Sequence, residues 1–483
     1  MLDAEDRNHR KRGAYRVRGS LMIWTQKIIE SWVNCDGIVN SMEDLEIWIK
    51  ELNANTYVNI QECSINSGNM WFYDDYNGEV LNRKRSFFSI KGMRYFVNDE
   101  FISEQPIIIQ PEIGYLGIIC KEIGGVLHFL MQAKIEPGNV NCVQLSPTLQ
   151  ATKSNFTRAH GGNFPPYFEY FDHSERYHVI YDQIQSEQSA RFYRKRNRNM
   201  IMLVEEELEE LPNFRWMTLG QIKRLMEVDN LVNMDTRTVL SGIPLVTEQL
   251  NRKEQELIRE YFNDTALYES IFEAEPNKYL PDIYQKMNNY KMFHDVSVVT
   301  VPLNQLVDWH VDSYGITCKK QADFMVRYYD IEIHGREVKQ WSQPLFKALG
   351  EATFGLLIRS FEGKRQFLVK IKPEIGCFDS IELGPAIQWE ASHKPEKDDI
   401  VELVFREALA SGDGILCNVL LSEEGGRFFH EQNRNVIIDI GNKNLEQLPE
   451  DYLWVDYGTL NYLVQVNNCL NIQLRNLLSL MKL

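Results

Sequence analysis

Gln132, Lys134 and Glu136 stand at i, i+2 and i+4 of an alternating run, so in an extended strand all three side chains leave by one face. A lysine beside a carboxylate at that spacing sets a cation and a base close together. Such a pair can take a proton from carbon and hold the negative charge left behind. The same row also fits a solvated strand face with a weak ion pair. The residues after it favour chemistry. Pro137-Gly138 breaks the strand, and the next stretch is dense in neutral hydrogen-bonding groups: Asn139, Asn141, Gln144, Ser146, Thr148, Gln150, Thr152, Ser154 and Asn155. Donors and acceptors in that concentration suit the hydroxyls of a sugar.

Further on lie Arg158, Lys195, Arg196 and Arg198, within a wider basic set that includes Lys153, Arg191 and Arg194. Guanidinium forks bind phosphate oxygens two at a time, so this set would suit a diphosphate. It also fits surface charge next to the acidic run Glu205–Glu210. His160, in a glycine-rich stretch, is a candidate acid or base because imidazole titrates near neutrality.

The elements that must hold these residues are readable in outline. Gly124-Gly125 is a turn signal, and Leu127, Phe129, Met131, Ala133 and Ile135 alternate after it, which predicts a strand over Val126–Glu136 with one apolar face. Ser41 and Asp44 form a capping box that opens a helix from Met42 to Leu52, and Thr218 caps a second helix from Leu219 to Val228. Strands dominate, giving an α+β class with a mostly antiparallel or mixed sheet.

The chain also contains itself twice. GIICKEIGGVLHFLMQAKIEPG from Gly117 aligns without a gap on GLLIRSFEGKRQFLVKIKPEIG from Gly355, so that Lys134 meets Lys372 and Glu136 meets Glu374. Trp71 meets Trp309, and SEQSARFYRKRNRNMI from Ser186 meets SEEGGRFFHEQNRNVI from Ser422. The expected organisation is a first repeat over 22–243, a helical linker over 244–290 and a second repeat over 291–483. In the linker, Leu250, Leu257, Ile258, Tyr261, Phe262, Ile271 and Phe272 predict a helix between Thr247 and Ala274, either a connector or part of one copy's core. Copy two carries Lys370 for Gln132, Gly384 for Ser146, Ala386 for Thr148 and Glu390 for Thr152, and has no counterpart of TRAHGG from Thr157 to Gly162. Residues found in one copy only are the better candidates for specialised function, so the first copy is expected to hold the intact site.

Composition narrows the function classes. With 483 residues, 44% hydrophobic and 25% charged, the chain can build more than one sizeable core. A net charge of −16 argues against general nucleic-acid binding. The eight cysteines form no Cys-x-x-Cys pair, which excludes the usual zinc spacing and fits reduced cytosolic thiols. No stretch has the length of a membrane span. The charged N-terminus, with Lys27 and Glu30 interrupting the apolar run after it, does not read as a signal peptide, and Met22 is a candidate alternative start. There is no Gly-x-Gly-x-x-Gly, P-loop, His-Glu-x-x-His or Gly-x-Ser-x-Gly, so neither a dinucleotide cofactor nor a metal is expected.

The stretch QPEIGYLGIICKEIGGVLHFLMQAKIEPGNVNCVQLSPTLQATKSNFTRAH from Gln110 closely resembles the NDP-hexose 2,3-dehydratases of deoxysugar biosynthesis. So do FFSIKG at Phe87, KRNRNM at Lys195, WMTLGQI at Trp216, VNMDTRTVLSGIP at Val232 and, in copy two, GREVKQWSQPL at Gly335. The resemblance implies a duplicated Nudix-like fold, a homodimer in the cytoplasm and a dTDP-4-keto-6-deoxyhexose substrate. It implies no cofactor, and a downstream NADPH-dependent 3-ketoreductase that takes the product toward natural-product glycosylation. Neither copy carries the acidic box that holds magnesium in Nudix hydrolases. On this reading Glu136 or His160 is the base and Lys134 faces the enolate oxygen, or is itself the base. Gln132, Asn139, Gln144, Ser146, Thr148, Gln150, Thr152 and Asn155 position the sugar. Arg158, Lys195, Arg196 and Arg198 face the diphosphate, and Trp71 or Phe156 stacks on thymine. A surviving diphosphohydrolase and a non-catalytic sugar-nucleotide-binding protein are the two rival classes.

Overall fold

The computed structural model describes residues 24–68, 70–85, 87–156, 164–245, 252–335, 338–394, 399–441, 443, 445 and 447–483. Its centre is a pair of seven-stranded mixed sheets, one per repeat. In the first, strands run in the order His178–Ser186, Arg196–Leu203, Gly114–Ile123, Val126–Ile135, Phe214–Thr218. Val143–Ser146 adds to Val126–Ile135, and Leu149–Ala151 adds to Gly114–Ile123. Arg196–Leu203 lies parallel to Gly114–Ile123, and the remaining pairs are antiparallel. The second repeat builds the same pattern around Thr353–Phe361 and Lys364–Pro373. The α+β tandem duplication read from the sequence is thus the architecture of the molecule.

The central hairpin forms for a local reason. Ile123 pairs with Val126, leaving a two-residue turn of Gly124 and Gly125 at φ +60° and +86°. That mirror-image turn matches strand twist and is open to glycine without strain. Leu127, Phe129, Met131 and Ala133 then enter the main core, as their alternation predicts. The other face is not solvated, however. His128 is fully buried, and Leu130 packs with Ile119, Phe171 and Trp216 in a second cluster. Helix Phe168–Asp172 covers that side so closely that a side chain on Gly117 would strike Phe171. Toward its end the strand emerges from this cover, and Gln132 and Lys134 are partly exposed.

The helix after Ser41 runs Met42–Asn55 with the capping box formed, and the one after Thr218 runs Leu219–Leu225, a turn shorter than its pattern suggests. The predicted helix of the linker divides into Arg252–Glu260 and Thr265–Phe272, because Asp264 accepts a hydrogen bond from the Leu267 N–H and caps a new start. A third helix, Pro276–Phe293, follows. Ile258, Phe262, Leu267, Ile271 and Phe272 all join the main core, so this segment is core as well as connector. Among the described residues no helix is long and apolar enough to cross a membrane.

The two repeats interlock. Val58–Cys63 of the first pairs with Phe324–Ile333 of the second, while its counterpart Val296–Val301 pairs with Ser89–Val97 of the first. The main apolar core draws on both repeats. Helix Met234–Ser241 packs on its counterpart Ile472–Ser479, and each sends one fully buried arginine across. Arg237 donates to the Ser422 carbonyl at 2.9 Å, and Arg475 donates to the Ser186 carbonyl. Buried charged donors of this kind are worth about 1.5–3 kcal/mol per hydrogen bond. The copies share one core, and the end of each central hairpin docks on the other repeat, Gly138 on Gly425 and Gly376 on Ser189.

Candidate active site

The strand Val126–Ile135 carries Lys134 to the seam, and the residue after it, Glu136, closes a 3.3 Å ion pair with it. The lysine side chain keeps 18% of its surface exposed and the glutamate 9%, so the pair is mostly covered and recessed from the surface. Gln150, on the short strand beside it, donates to Glu136 at 3.3 Å, and its backbone carbonyl accepts from the Lys134 ammonium at 3.5 Å. Asn233 donates to Gln150 at 3.1 Å while capping helix Met234–Ser241 through the Thr236 N–H. One chain of contacts thus runs from a helix start to the ion pair and fixes its geometry.

The second repeat supplies a wall. The Gly138 N–H donates to the Gly425 carbonyl at 2.7 Å, and the His430 N–H donates to the Gly138 carbonyl at 2.9 Å. The approach needs glycine, since a side chain on Gly425 would collide with Asn139, and one on Gly426 would meet the carboxylates of Glu424 and Glu136. Four carboxyls, Glu136, Glu187, Asp235 and Glu424, and three cations, Lys134, Lys195 and Arg427, lie within electrostatic reach of one another here. Burial, with Glu187, Glu424 and Glu136 around it, holds the Asp235 carboxyl well above the usual range, against the pull of Lys134. Burial raises Glu424 in the same way although Arg427 opposes it, and it raises Glu187 although Lys195 opposes it. Lys195 is lowered by burial, with Glu187 opposing.

Of the residues singled out from sequence, Gln132, Lys134, Glu136, Ser146 and Gln150 gather in one place. Ser146 donates to the Gln132 side chain at 3.5 Å. Others hold the scaffold. Thr148 is buried, donates to the Leu130 carbonyl and accepts from the Ile119 N–H at 3.0 Å, so its hydroxyl is used inside the sheet. Asn139 closes its own turn by donating to the Cys142 carbonyl at 2.7 Å. Gln144 is buried and donates across the seam to Ser422 at 2.7 Å. Asn155 accepts from the Thr152 N–H and hydroxyl, shaping the loop at the rim.

The basic set does not assemble as one phosphate cradle. Lys195 points inward and donates to the Glu112 carbonyl at 2.6 Å. Arg198 forks onto Asp182 at 2.6 and 2.7 Å. Arg196 lies over the Phe378 ring, and Arg191 pairs with Glu390 of the second repeat at 2.8 Å. Trp71 is packed against Phe88 in an apolar cluster with Val80 and Ile90, with 3% of its surface exposed, and has no ring face for a base. Phe156 stacks on Phe168. Arg158 and His160 lie outside the described residues.

Sequence reasoning passed over Asn233, Asp235, Glu187, Glu424 and Arg427. The signal for the first two was the repeat itself. Carried forward at its offset, it sets Asn233 on Asn471, Asp235 on Gln473 and Arg237 on Arg475. Glu424 and Arg427 reach the site only through the interlocking of the copies, and Glu187 through the turn back to Lys195 and Asn197, neither of which a local pattern announces.

A family model described as NDP-hexose 2,3-dehydratase matches residues 42–243 and 281–481. A dTDP-4-dehydro-6-deoxy-alpha-D-glucopyranose 2,3-dehydratase of Saccharopolyspora spinosa is 34% identical over 460 residues, covering 94% of each chain. Proteins of the same name from Streptomyces violaceoruber and Amycolatopsis orientalis are 34% and 33% identical, covering 89% and 94% of this chain and 95% and 93% of their own.

Proposed function

Since the chain belongs to the NDP-hexose 2,3-dehydratase family and is a hydro-lyase, we propose that the Lys134–Glu136 recess is where it removes water from dTDP-4-keto-6-deoxyglucose. The carrying observation is the mostly buried 3.3 Å pair of cation and carboxylate, tied through Gln150 and Asn233 to a helix start. Glu136 takes the proton from carbon 3, which the neighbouring 4-ketone makes acidic, and the electron pair moves onto the carbonyl oxygen. Lys134 faces that oxygen and steadies the enolate. The enolate then expels the carbon 2 hydroxyl, which leaves as water with a proton from a general acid. The enol left at carbon 3 tautomerises to a 3,4-diketo-2,6-dideoxy sugar, so substrate and product differ by one water and no electron is exchanged with a cofactor. In this reading the partly exposed Gln132 binds a sugar hydroxyl, with the buried Ser146 hydroxyl donating to it from behind.

The diketone is reactive, and we assign its onward reaction to an NADPH-dependent 3-ketoreductase. A cytoplasmic homodimer with each repeat Nudix-like completes the proposal. The test is incubation with dTDP-4-keto-6-deoxyglucose, with and without EDTA, the product trapped by a coupled 3-ketoreductase and weighed by mass spectrometry. A product derived from loss of one water, unaffected by chelator, supports the reading. Release of a nucleoside monophosphate, or binding without water loss, overturns it.

A further inference from the structure

The recess of the first repeat has a near copy in the second. There Gln388 donates to Glu374 at 2.8 Å, Asn471 donates to Gln388 at 2.9 Å, and Asn471 caps helix Ile472–Ser479 as Asn233 caps its counterpart. Lys372 stands beside Glu374 as Lys134 stands beside Glu136. Lysine, glutamate, glutamine and asparagine are therefore common to both, and so is the wall: Gly376 N–H donates to the Ser189 carbonyl at 2.9 Å, as Gly138 does to Gly425. Two positions around this frame exchange a carboxyl for a carboxamide. Two residues beyond the capping asparagine the first repeat has Asp235 and the second Gln473. On the wall the first recess receives Glu424 from the second repeat, and the matching residue of the first repeat is Gln188, which hydrogen-bonds to Glu431. In both places a carboxyl of the first recess answers to a carboxamide of the second, isosteric at Glu424/Gln188 and one methylene longer at Asp235/Gln473.

A carboxamide keeps hydrogen bonds but cannot give up a proton at neutral pH. The frame alone supplies one base and one cation, whereas elimination of water also needs a donor for the departing hydroxyl. Resting on the function proposed above, we propose that Asp235 is the general acid for the carbon 2 hydroxyl and that Glu424, inserted from the second repeat, is its positioning partner. Asp235 is 2% exposed, on the first turn of the helix that the Asn233–Gln150–Glu136 contacts tie to the reacting pair. The groups around it are Glu136 and Lys134 from the central hairpin, Glu187 from the first repeat, and Glu424 from the second, with Lys195 and Arg427 flanking Glu187 and Glu424. Crowding by three carboxyls favours the neutral acid, and loss of the one contributed by Glu424 removes part of that bias. The second repeat then completes the first repeat's site.

The experiment uses the full chain in D2O and follows two signals: loss of water by mass, and exchange of the carbon 3 hydrogen for deuterium by NMR. Asp235→Asn is expected to slow water loss about 10²–10⁴-fold while carbon 3 exchange continues, because enolate formation needs only the base. Asp235→Gln, which copies the residue the fold already accepts at Gln473, should do the same, and Asp235→Glu should recover part of the rate. Gln473→Asn should leave both signals unchanged. Glu424→Gln should move the alkaline limb of the water-loss profile to lower pH, since the acid is then deprotonated sooner; a misfolded variant would lower the rate at every pH without moving the limb. Water loss retained within about threefold in Asp235→Asn, or loss of exchange and water loss together, overturns the proposal. Wild-type protein that releases no water sinks the proposed function instead, so the two failures are told apart.

Discussion

The two recesses differ less in their frame than in the charges around it. The first holds Lys134 and Glu136 at 3.3 Å with Gln150 and Asn233 behind them, and the second repeats those four residue types in place. Around the frame, Gln144 of the first becomes Glu382, Thr152 becomes Glu390 and Lys195 becomes Glu431. In the second recess Glu390 is taken up by Arg191, and burial pushes Glu374 to about 7 and Glu382 to about 8. Duplication kept the hydrogen-bonded scaffold, because both sheets need it to fasten a helix start to a strand end. It changed the protons available at each site. The lesson is that residues shared by the repeats do not by themselves say which recess performs the chemistry.

The comparison is broken most severely at the base. Glu136→Gln is expected to lower the rate of water loss about 10²–10⁴-fold, and Glu374→Gln to change it less than threefold, in steady-state assays of the trapped product. Equal losses from both would mean that both recesses turn over.

A middle-sized effect comes from the wall. Gly425→Ala drives a methyl into Asn139, so it should displace the second repeat from Glu136, cost about 1–3 kcal/mol in urea unfolding and slow turnover about tenfold or more. Ser189→Ala at the matching place on the other wall should do neither. An unchanged rate in Gly425→Ala would separate the wall from the chemistry.

The smallest effect is on stability alone. Glu382 is raised by burial from the usual 4.5 to about 8 while Ser186 donates to it at 2.8 Å. The folded form keeps that proton where the unfolded form loses it. The stability it contributes is complete below the usual value and is lost as the pH rises toward 8. Glu382→Gln copies Gln144, whose amide donates to Ser422 at 2.7 Å. It should raise the unfolding free energy at pH 8 by ~2 kcal/mol and flatten the fall of Tm with pH, with activity unchanged. A Tm profile identical to wild type would show that Glu382 is charged in the fold.

Much of this was legible in the chain. The alternation from Leu127 to Ile135, the glycine turn before it and the duplicated segments point to the hairpin and the tandem architecture. The row of Gln132, Lys134 and Glu136 is local in sequence and so was readable as one face. What stayed hidden is what only folding brings together. Glu424 and Arg427 reach Lys134 and Glu136 because the repeats exchange Val58–Cys63 and Val296–Val301 and pack Met234–Ser241 on Ile472–Ser479. The arginine and lysine cluster after Ser186 misled because alternation along Arg196–Leu203 sends Arg196 and Arg198 to one face, while Lys195 turns inward to Glu112. Thr148 and Trp71 misled because residue type does not tell a ligand-binding hydroxyl or ring from one already used by the core.

The most direct test of the account sets Lys134→Met beside Lys372→Met, both checked for folding by thermal unfolding, and measures the rate of water loss from dTDP-4-keto-6-deoxyglucose. The account predicts a loss of about 100-fold or more in the first and less than threefold in the second. Full activity in Lys134→Met with the loss in Lys372→Met would place the reaction in the other recess and contradict it.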